Sequence, residues 1–410
     1  MTQSVLDSLT LAYEPIWNRE RALAAVRLHI GAVRPEAADA AHLLQVLGDS
    51  WPESAPPLVL AFNSPRLLAQ ALVGPAVAHT WIEVPGGAFD QEEGLTRLTA
   101  ASRRGHQLMR RLPLSAWLRV RELPFSVRNL LQMEDADAQT LAPTPAPGAV
   151  YAPWPRGCLL GGVPSRELAH RALDETGAWG LVGWPEDDVL ALHKHRPVTY
   201  DLRVIHEVLL ALDHEDCSIE RLERIVRQDA VLVYRILLLV NSAAYGLRRE
   251  IGSLRHALMM LGFRELGRWL TDQVPESDPD EDLHPLRQAM VMRARMAQHL
   301  LATGSDDALR AEVYSTALLS QLDRLLRQPL PELLHKLPLP GRVFDAILRR
   351  DGPYFPLVDM ARALASPAQM HQLPALSARH EIPLEQANRA LLRMLTTSRD
   401  HAGARSERLT

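Results

Sequence analysis

From Val231 to Val240 the chain is apolar on every side except at Arg235, and polar residues bound the run at both ends. A helix of that kind has no face to give to water, so other helices must enclose it in a core. Gln228-Asp229 opens it, Asn241-Ser242 stops it, and Ala243-Ala244-Tyr245-Gly246 makes the exit turn. Upstream, Ser218 caps a helix carrying Ile219, Leu222, Ile225 and Val226; downstream, Ser253 caps a third that ends at Leu261-Gly262. Asp201 to Leu270 therefore reads as a packed helical module. Its polar residues are caps and turns rather than catalytic groups.

A chain of 410 residues exceeds what one core serves, and two domains are expected. Between Leu9 and Trp184 short apolar runs at Ala22 to Leu28, Leu58 to Phe62, Thr80 to Val84, Trp117 to Val120, Cys158 to Leu160 and Leu181 to Gly183 read as strands. Helical stretches alternate with them, around Ala37 to Leu47, Pro65 to Leu72, Gln91 to Ala101 and Ser165 to Thr176, which favours a parallel α/β arrangement. After Thr199 the strand signal ends. Apolar residues then recur at three and four spacing through Leu283 to Leu301, Ala308 to Leu326, Pro331 to Leu334 and Val343 to Leu348, an all-α pattern. The expected division is an α/β domain over 1–190, a connector around Pro185 to Pro197, a helical domain over 198–397 and a frayed tail over 398–410. Glu134 to Arg156, with five prolines, reads as a long loop or degraded helix of the first domain.

A net charge of −4 gives no bulk attraction to nucleic acid or to anionic membrane. Arg221, Arg224, Arg227, Arg248, Arg249 and Arg255 would be the basic patch of a nucleic-acid-binding reading, but Glu220 and Glu223 are interspersed among them and favour a mixed, solvated surface. Two cysteines, Cys158 and Cys217, make neither a disulfide framework nor a metal site. Met1 to Leu11 lacks the charged and apolar regions of a leader, and no run is long enough to span a bilayer, so a cytoplasmic protein is expected. The acidic stretch Asp272 to Asp282 holds six carboxylates but lacks the glycine turn and terminal glutamate of a calcium loop. His193, His195, His206, His214, His284, His299 and His335 show no metal-ligand spacing.

Asp229, Leu232, Arg235-Ile236-Leu237, Val240 to Gly246, Ile251, Ser253, Ala257 and Leu261-Gly262 together resemble the HDOD domain of bacterial signalling proteins. The resemblance implies a helical fold of the HD superfamily. Within it Asp229, Arg235, Asn241, Ser242 and Gly262 are expected to be structural, since polar groups near a core must be satisfied. The related HD phosphohydrolases place adjacent His and Asp on a helix to share a metal-bound water. This chain has no His-Asp dipeptide, and Ser320-Gln321 stands in the matching slot.

The first domain resembles an EAL domain, the (β/α) barrel that hydrolyses cyclic diguanylate. The landmarks are Glu14 to Arg19, Val26-Arg27-Leu28, Ala61 to Pro65, Trp81 to Val84, Trp117 to Arg121, Gly161 to Ser165 and Val182 to Pro185. Metal-dependent phosphodiester hydrolysis needs converging carboxylates, because hard divalent cations take oxygen ligands. The resemblance puts Arg27 where the signature glutamate belongs, Arg110 and Arg111 near the paired aspartates, Arg121 at a further aspartate and Gly161 at the late glutamate; Asn63 and Glu83 persist. Each arginine in place of a carboxylate changes the local charge by two units. Landmarks farther on, among them Arg293-Ala294-Arg295, Leu333-Leu334 and Ala346 to Leu348, resemble the C-terminal half of EAL-HDOD two-domain proteins.

The expected function is therefore that of a non-catalytic regulatory adaptor, with neither domain holding a metal or cofactor and with other signalling proteins as partners. No membrane and no nucleic acid are expected among those partners, and self-association is left open. The alternative is a metal-free sensor that binds a cyclic nucleotide or other anion through Arg27, Asn63, Glu83, Arg110, Arg111 and Arg121 at the barrel mouth.

Overall fold

The computed structural model describes residues 5–119, 122–141, 154–193, 198–243, 251–277, 279–302 and 304–398. They fall into two compact units, Met1–Asp188 with Arg362–Thr410, and Val189–Ala361.

In the first unit eight strands close a barrel in sequence order: β1 (Leu9–Trp17), β2 (Leu23–Ala32), β3 (Leu58–Phe62), β4 (Thr80–Pro85), β5 (Gln107–Pro113), β6 (Val127–Gln132), β7 (Leu159–Gly161) and β8 (Gly180–Val182). β1 runs antiparallel to both of its neighbours, whereas all other pairs are parallel. The fully parallel arrangement favoured by the sequence fails at the first connection. Asn18 to Ala22 is too short for a crossover and closes a hairpin instead, with Asn18 N donating to Ala22 O and Ala22 N to Asn18 Oδ1, at 3.0 and 2.9 Å. Arg21 takes φ 55° within it.

Helices α1 (Ala40–Ser50), α2 (Pro65–Val73), α3 (Glu92–Arg103), α4 (Asp135–Leu141) and α5 (Arg166–His170) connect the parallel strands, and α6 (Glu186–Ala191) follows β8. Between β5 and β6 the link contains a 3-10 helix, Leu114–Arg119, where a strand at Trp117 to Val120 was expected from the sequence. Leu114 is buried there and Trp117 packs against the same core cluster, whereas Leu118 is 81 % exposed, and β6 begins farther on at Val127. Inside the barrel Ile16, Ala25, Val59, Met109, Leu130, Leu159 and Val182 meet, with Trp81 and Trp179 packed against them. Such layers make a barrel centre a core rather than a pore.

In the second unit Asp201 caps α7 (Leu202–Leu212), Ser218 caps α8 (Ile219–Val226), Asp229 caps α9 (Ala230–Val240) and Ser253 caps α10 (Leu254–Gln273). All but three residues of α9, Arg235, Leu238 and Leu239, are buried, as a helix apolar all round requires. α10 does not stop at Gly262. That residue interrupts the helix with φ 70° and ψ 164°, a backbone shape open to glycine, and the helix resumes to Gln273. α11 (His284–His299) and α12 (Asp307–Leu319) follow, then α13 (Leu322–Leu326) and α14 (Leu330–Leu334). Ser320-Gln321 thus breaks the run expected as one helix from Ala308 to Leu326.

The helices Leu373–His380 and Leu384–Thr396 belong to the barrel unit, not to the helical domain drawn over 198–397. Helical periodicity fixes the element but not the core it joins. Asn388, fully buried, donates through Nδ2 to Leu6 O at 2.7 Å and Leu9 O at 2.8 Å, tying the last helix to the start of β1. Among the described residues no helix is long and apolar enough to cross a membrane.

Candidate functional site

Side chains alternate across a strand, so Glu14, Arg27, His29, Glu83 and Arg111 share the inward parity of Ile16, Ala25, Trp81 and Met109. They meet in one ionic network. Arg27 grips Glu83 with two parallel bonds, Nε to Oε2 at 2.8 Å and Nη2 to Oε1 at 2.9 Å, and reaches Glu14 Oε2 through Nη1 at 3.3 Å. Arg111 Nε lies 2.7 Å from Glu83 Oε1, and His29 Nε2 lies 3.4 Å from Glu14 Oε2. Glu83 is 6 % exposed and Arg27 13 %, whereas Arg111 at 44 % reaches solvent. Burial acts to lower the Arg27 guanidinium, but its hydrogen bonds and charge pairing with Glu83, helped by Glu14, outweigh this and raise it. Burial likewise acts to raise the Glu14 carboxyl, yet His29 and Arg27 together hold it below its usual value. Two arginines thus saturate Glu83.

Arg110 points the other way. Its Nε donates to Asn129 Oδ1 at 3.0 Å and its guanidinium sits over the Phe89 ring, 5.5 Å from the centroid. It therefore stands apart from the Arg27 and Arg111 network it was grouped with. Asn63 follows β3, exposed, with its backbone N bonded to Ile30 O at 2.9 Å. Arg121 lies outside the described residues. At Gly161 a Cβ would stand 2.7 Å from Gln132 Oε1, so the Gln132 amide occupies the space a side chain there would need. His29 and Gln132 were not singled out in the sequence, and Glu14 entered only as the start of the Glu14 to Arg19 landmark, not as a site residue. Their inward parity is the signal that finds them once the strands are placed.

In the helical unit Asp229 is the hub. Its Oδ1 accepts from Val231 N at 2.8 Å and Leu232 N at 3.3 Å, and its Oδ2 accepts from Asp201 N at 2.6 Å and pairs with Arg287 Nη1 at 2.9 Å. Arg287 is 3 % exposed and also donates to Thr199 O at 2.7 Å. Burial pushes the Asp229 carboxyl upward against the pull of Arg287 and the backbone donors. Asn241 clamps the far end of α9: its Nδ2 donates to Leu237 O and Ile251 O at 2.7 and 2.8 Å, and its Oδ1 accepts from Ile251 N at 2.8 Å. Ser242 N closes the turn on Leu239 O at 3.1 Å, while Arg235 is exposed. Ser320 Oγ donates to Ala317 O at 2.7 Å, and Gln321 Nε2 to Ala317 O at 3.1 Å. Both side chains of the slot thus serve the α12 terminus.

His284 Nδ1, sealed from solvent, stands 3.7 Å from Asp201 Oδ2, longer than a hydrogen bond. Burial lowers the imidazole below its ordinary value of 6.5, against the pull of Asp201. At Asp201 burial acts upward, but His284, Arg287 and Arg203 prevail and hold the carboxyl far below its usual range. Both folded values are depressed, so the stability they confer is present above the unfolded values and lost as pH falls. Acidification should weaken the unit first below about 6.5, where unfolded histidine takes a proton that His284 refuses, and again below about 4, as Asp201 protonates on unfolding. An NMR titration should place the His284 midpoint below 6.5; a midpoint above it would contradict this account.

The two units define a closed barrel with a reversed first strand and an all-helical domain. Residues 201–335 match the model of the HDOD domain, so the helical unit carries an HDOD domain. The uncharacterized protein YuxH of Bacillus subtilis is 27 % identical over 164 residues, which are 39 % of this chain and 40 % of that protein. The cyclic di-GMP phosphodiesterase CdgJ of Vibrio cholerae is 30 % identical over 159 residues, 38 % of this chain and 37 % of its own. The matches span about two fifths of these relatives' length. A solved structure, the MmoQ response regulator of Methylococcus capsulatus, aligns with 48 % of this chain and 99 % of its own at 21 % identity and a TM-score of 0.39, too loose a fit to add to the fold assignment.

Proposed function

We propose that the chain is a non-catalytic regulatory protein of cyclic-diguanylate-linked signalling, a degenerate EAL-type barrel joined to an HDOD domain, acting through protein–protein contacts. The observation that carries this reading is the pairing of Glu83 with Arg27 and Arg111. A divalent cation at the mouth would have to displace two guanidinium groups from that carboxylate, and the Arg27 charge beside Glu14 repels it as well. The residues present do not fit a catalytic metal. In the HDOD domain Ser320 and Gln321 are engaged at a helix end and offer no strong ligand pair. A relative named as a cyclic di-GMP phosphodiesterase supports the signalling context. Titration calorimetry with Mg²⁺ or Mn²⁺ is expected to show no saturable binding; stoichiometric, tightly held metal would contradict the reading.

One observation favours anion sensing as a second reading. Arg111 uses Nε on Glu83, and its outer nitrogens have no partner among the described residues. Against it stands the charge balance, since Glu14 and Glu83 neutralise Arg27 and Arg111. Saturable calorimetric binding of cyclic diguanylate without metal would establish this reading, and its absence at millimolar ligand would remove it.

A further inference from the structure

A second cationic feature of the barrel lies toward the end where its parallel strands begin. On β4, Trp81 stands two residues before Glu83, and Trp179 immediately precedes β8. Arg128, the second residue of β6, shares the parity of the inward Leu130. The two indole rings lie 5.6 Å apart between centroids and are tilted by 56°. The Arg128 guanidinium lies over both, 5.0 Å from the Trp81 ring and 4.6 Å from that of Trp179. Both tryptophans are half-buried against the barrel core, whereas Arg128 reaches solvent.

Arg21, Arg27 and Arg111 in the same unit each hold a carboxylate. Among the described residues Arg128 has none, and neither indole N–H of the pair has an acceptor. The segments 120–121 and 142–153, which precede β6 and β7, contain no aspartate or glutamate. Burial lowers the Arg128 guanidinium below its ordinary value, and no neighbouring charge offsets this. Stacking on the rings fixes the plane of the guanidinium and leaves its edge of parallel N–H donors to match the two oxygens of a carboxylate. One isolated cation balances a single negative charge. A phosphate group carries more than one at neutral pH and calls for a second cation. The exposed parts of the indole rings add apolar surface beside the fork.

We infer that Arg128, Trp81 and Trp179 bind the carboxylate of a small organic monoacid, its two oxygens on the guanidinium fork and its apolar body against the indole rings. Neither the Glu83 network nor the HDOD domain takes part, so this site stands or falls apart from the proposed function.

Calorimetry on the full chain with cyclohexanecarboxylate, followed in parallel by tryptophan emission, tests it. Saturation in the low-millimolar range is expected. Acetate should bind more weakly because it lacks the apolar body, while cyclohexylmethanol, which lacks the charge, and inorganic phosphate should not bind. Arg128→Lys keeps the charge but loses the fork and should weaken binding by about tenfold, and Arg128→Gln should abolish it. Arg128 is exposed, so both variants should fold, as circular dichroism matching the native chain would verify. The native chain and the lysine variant decide the matter even where the glutamine variant fails to fold. Absence of saturation in the native chain overturns the proposal, as does unchanged affinity in the lysine variant, or binding of the alcohol or of phosphate as tight as that of the acid.

Discussion

Replacing Asp229 with alanine is expected to destabilise the helical unit by about 3–5 kcal/mol, the usual cost of stranding one member of a buried ion pair. Arg287, 3 % exposed, would lose its carboxylate, and Asp201 N and the first turn of α9 would lose their acceptor. Domains hold only about 5–15 kcal/mol in reserve, so α9 should exchange its amide hydrogens far faster in the variant while β2 and β3 remain protected. Asp229→Asn separates two explanations. If Asp229 served only as a helix cap, asparagine would be nearly neutral, because the two residues cap about equally well. Because Oδ2 faces both Asp201 N and Arg287 Nη1, an amide NH2 there meets donors, and the asparagine variant should be almost as damaged as alanine. An asparagine variant with native exchange rates would refute the hub.

Glu83→Ala should open the barrel mouth. Removing the carboxylate leaves Arg27, 13 % exposed, with Glu14 alone at 3.3 Å and releases Arg111. The barrel should lose roughly 3 kcal/mol, near the low end for breaking a buried pair, whereas Arg111→Ala, at a half-exposed partner, should cost less than about 1 kcal/mol. Two guanidinium groups freed from one carboxylate, Arg27 on β2 and Arg111 on β5, with only Glu14 left beside Arg27, make an anion site. Calorimetry should therefore detect inorganic phosphate binding to Glu83→Ala and none to the native chain. Phosphate binding equal in both would show that Glu83 does not neutralise the mouth.

Much of the architecture was legible because it is local. Ser218, Asp229 and Ser253 announce their helices by cap chemistry, and the Leu58–Phe62 strand falls where its apolar run lies. What escaped was non-local or depended on direction. The antiparallel β1 follows from a connection too short to cross over, a matter of length rather than composition. The helix Leu384–Thr396 carries the same three and four spacing in either unit, and it is its packing against the start of the barrel, with Asn388 bonding to Leu6 and Leu9, that assigns it there. At the site, adjacent Arg110 and Arg111 looked equivalent as letters, yet strand alternation sends them to opposite faces. Arg287 gave no signal at all. Its importance comes from Asp229, 58 residues earlier in the chain, and no spacing rule links the two.

Incubating the purified full chain with cyclic diguanylate and millimolar Mg²⁺ or Mn²⁺, then resolving products by chromatography, tests the central claim most directly. The arginine-closed mouth predicts that linear dinucleotide accumulates no faster than in buffer. Product formation that scales with protein, requires the divalent ion and stops on chelation would contradict it.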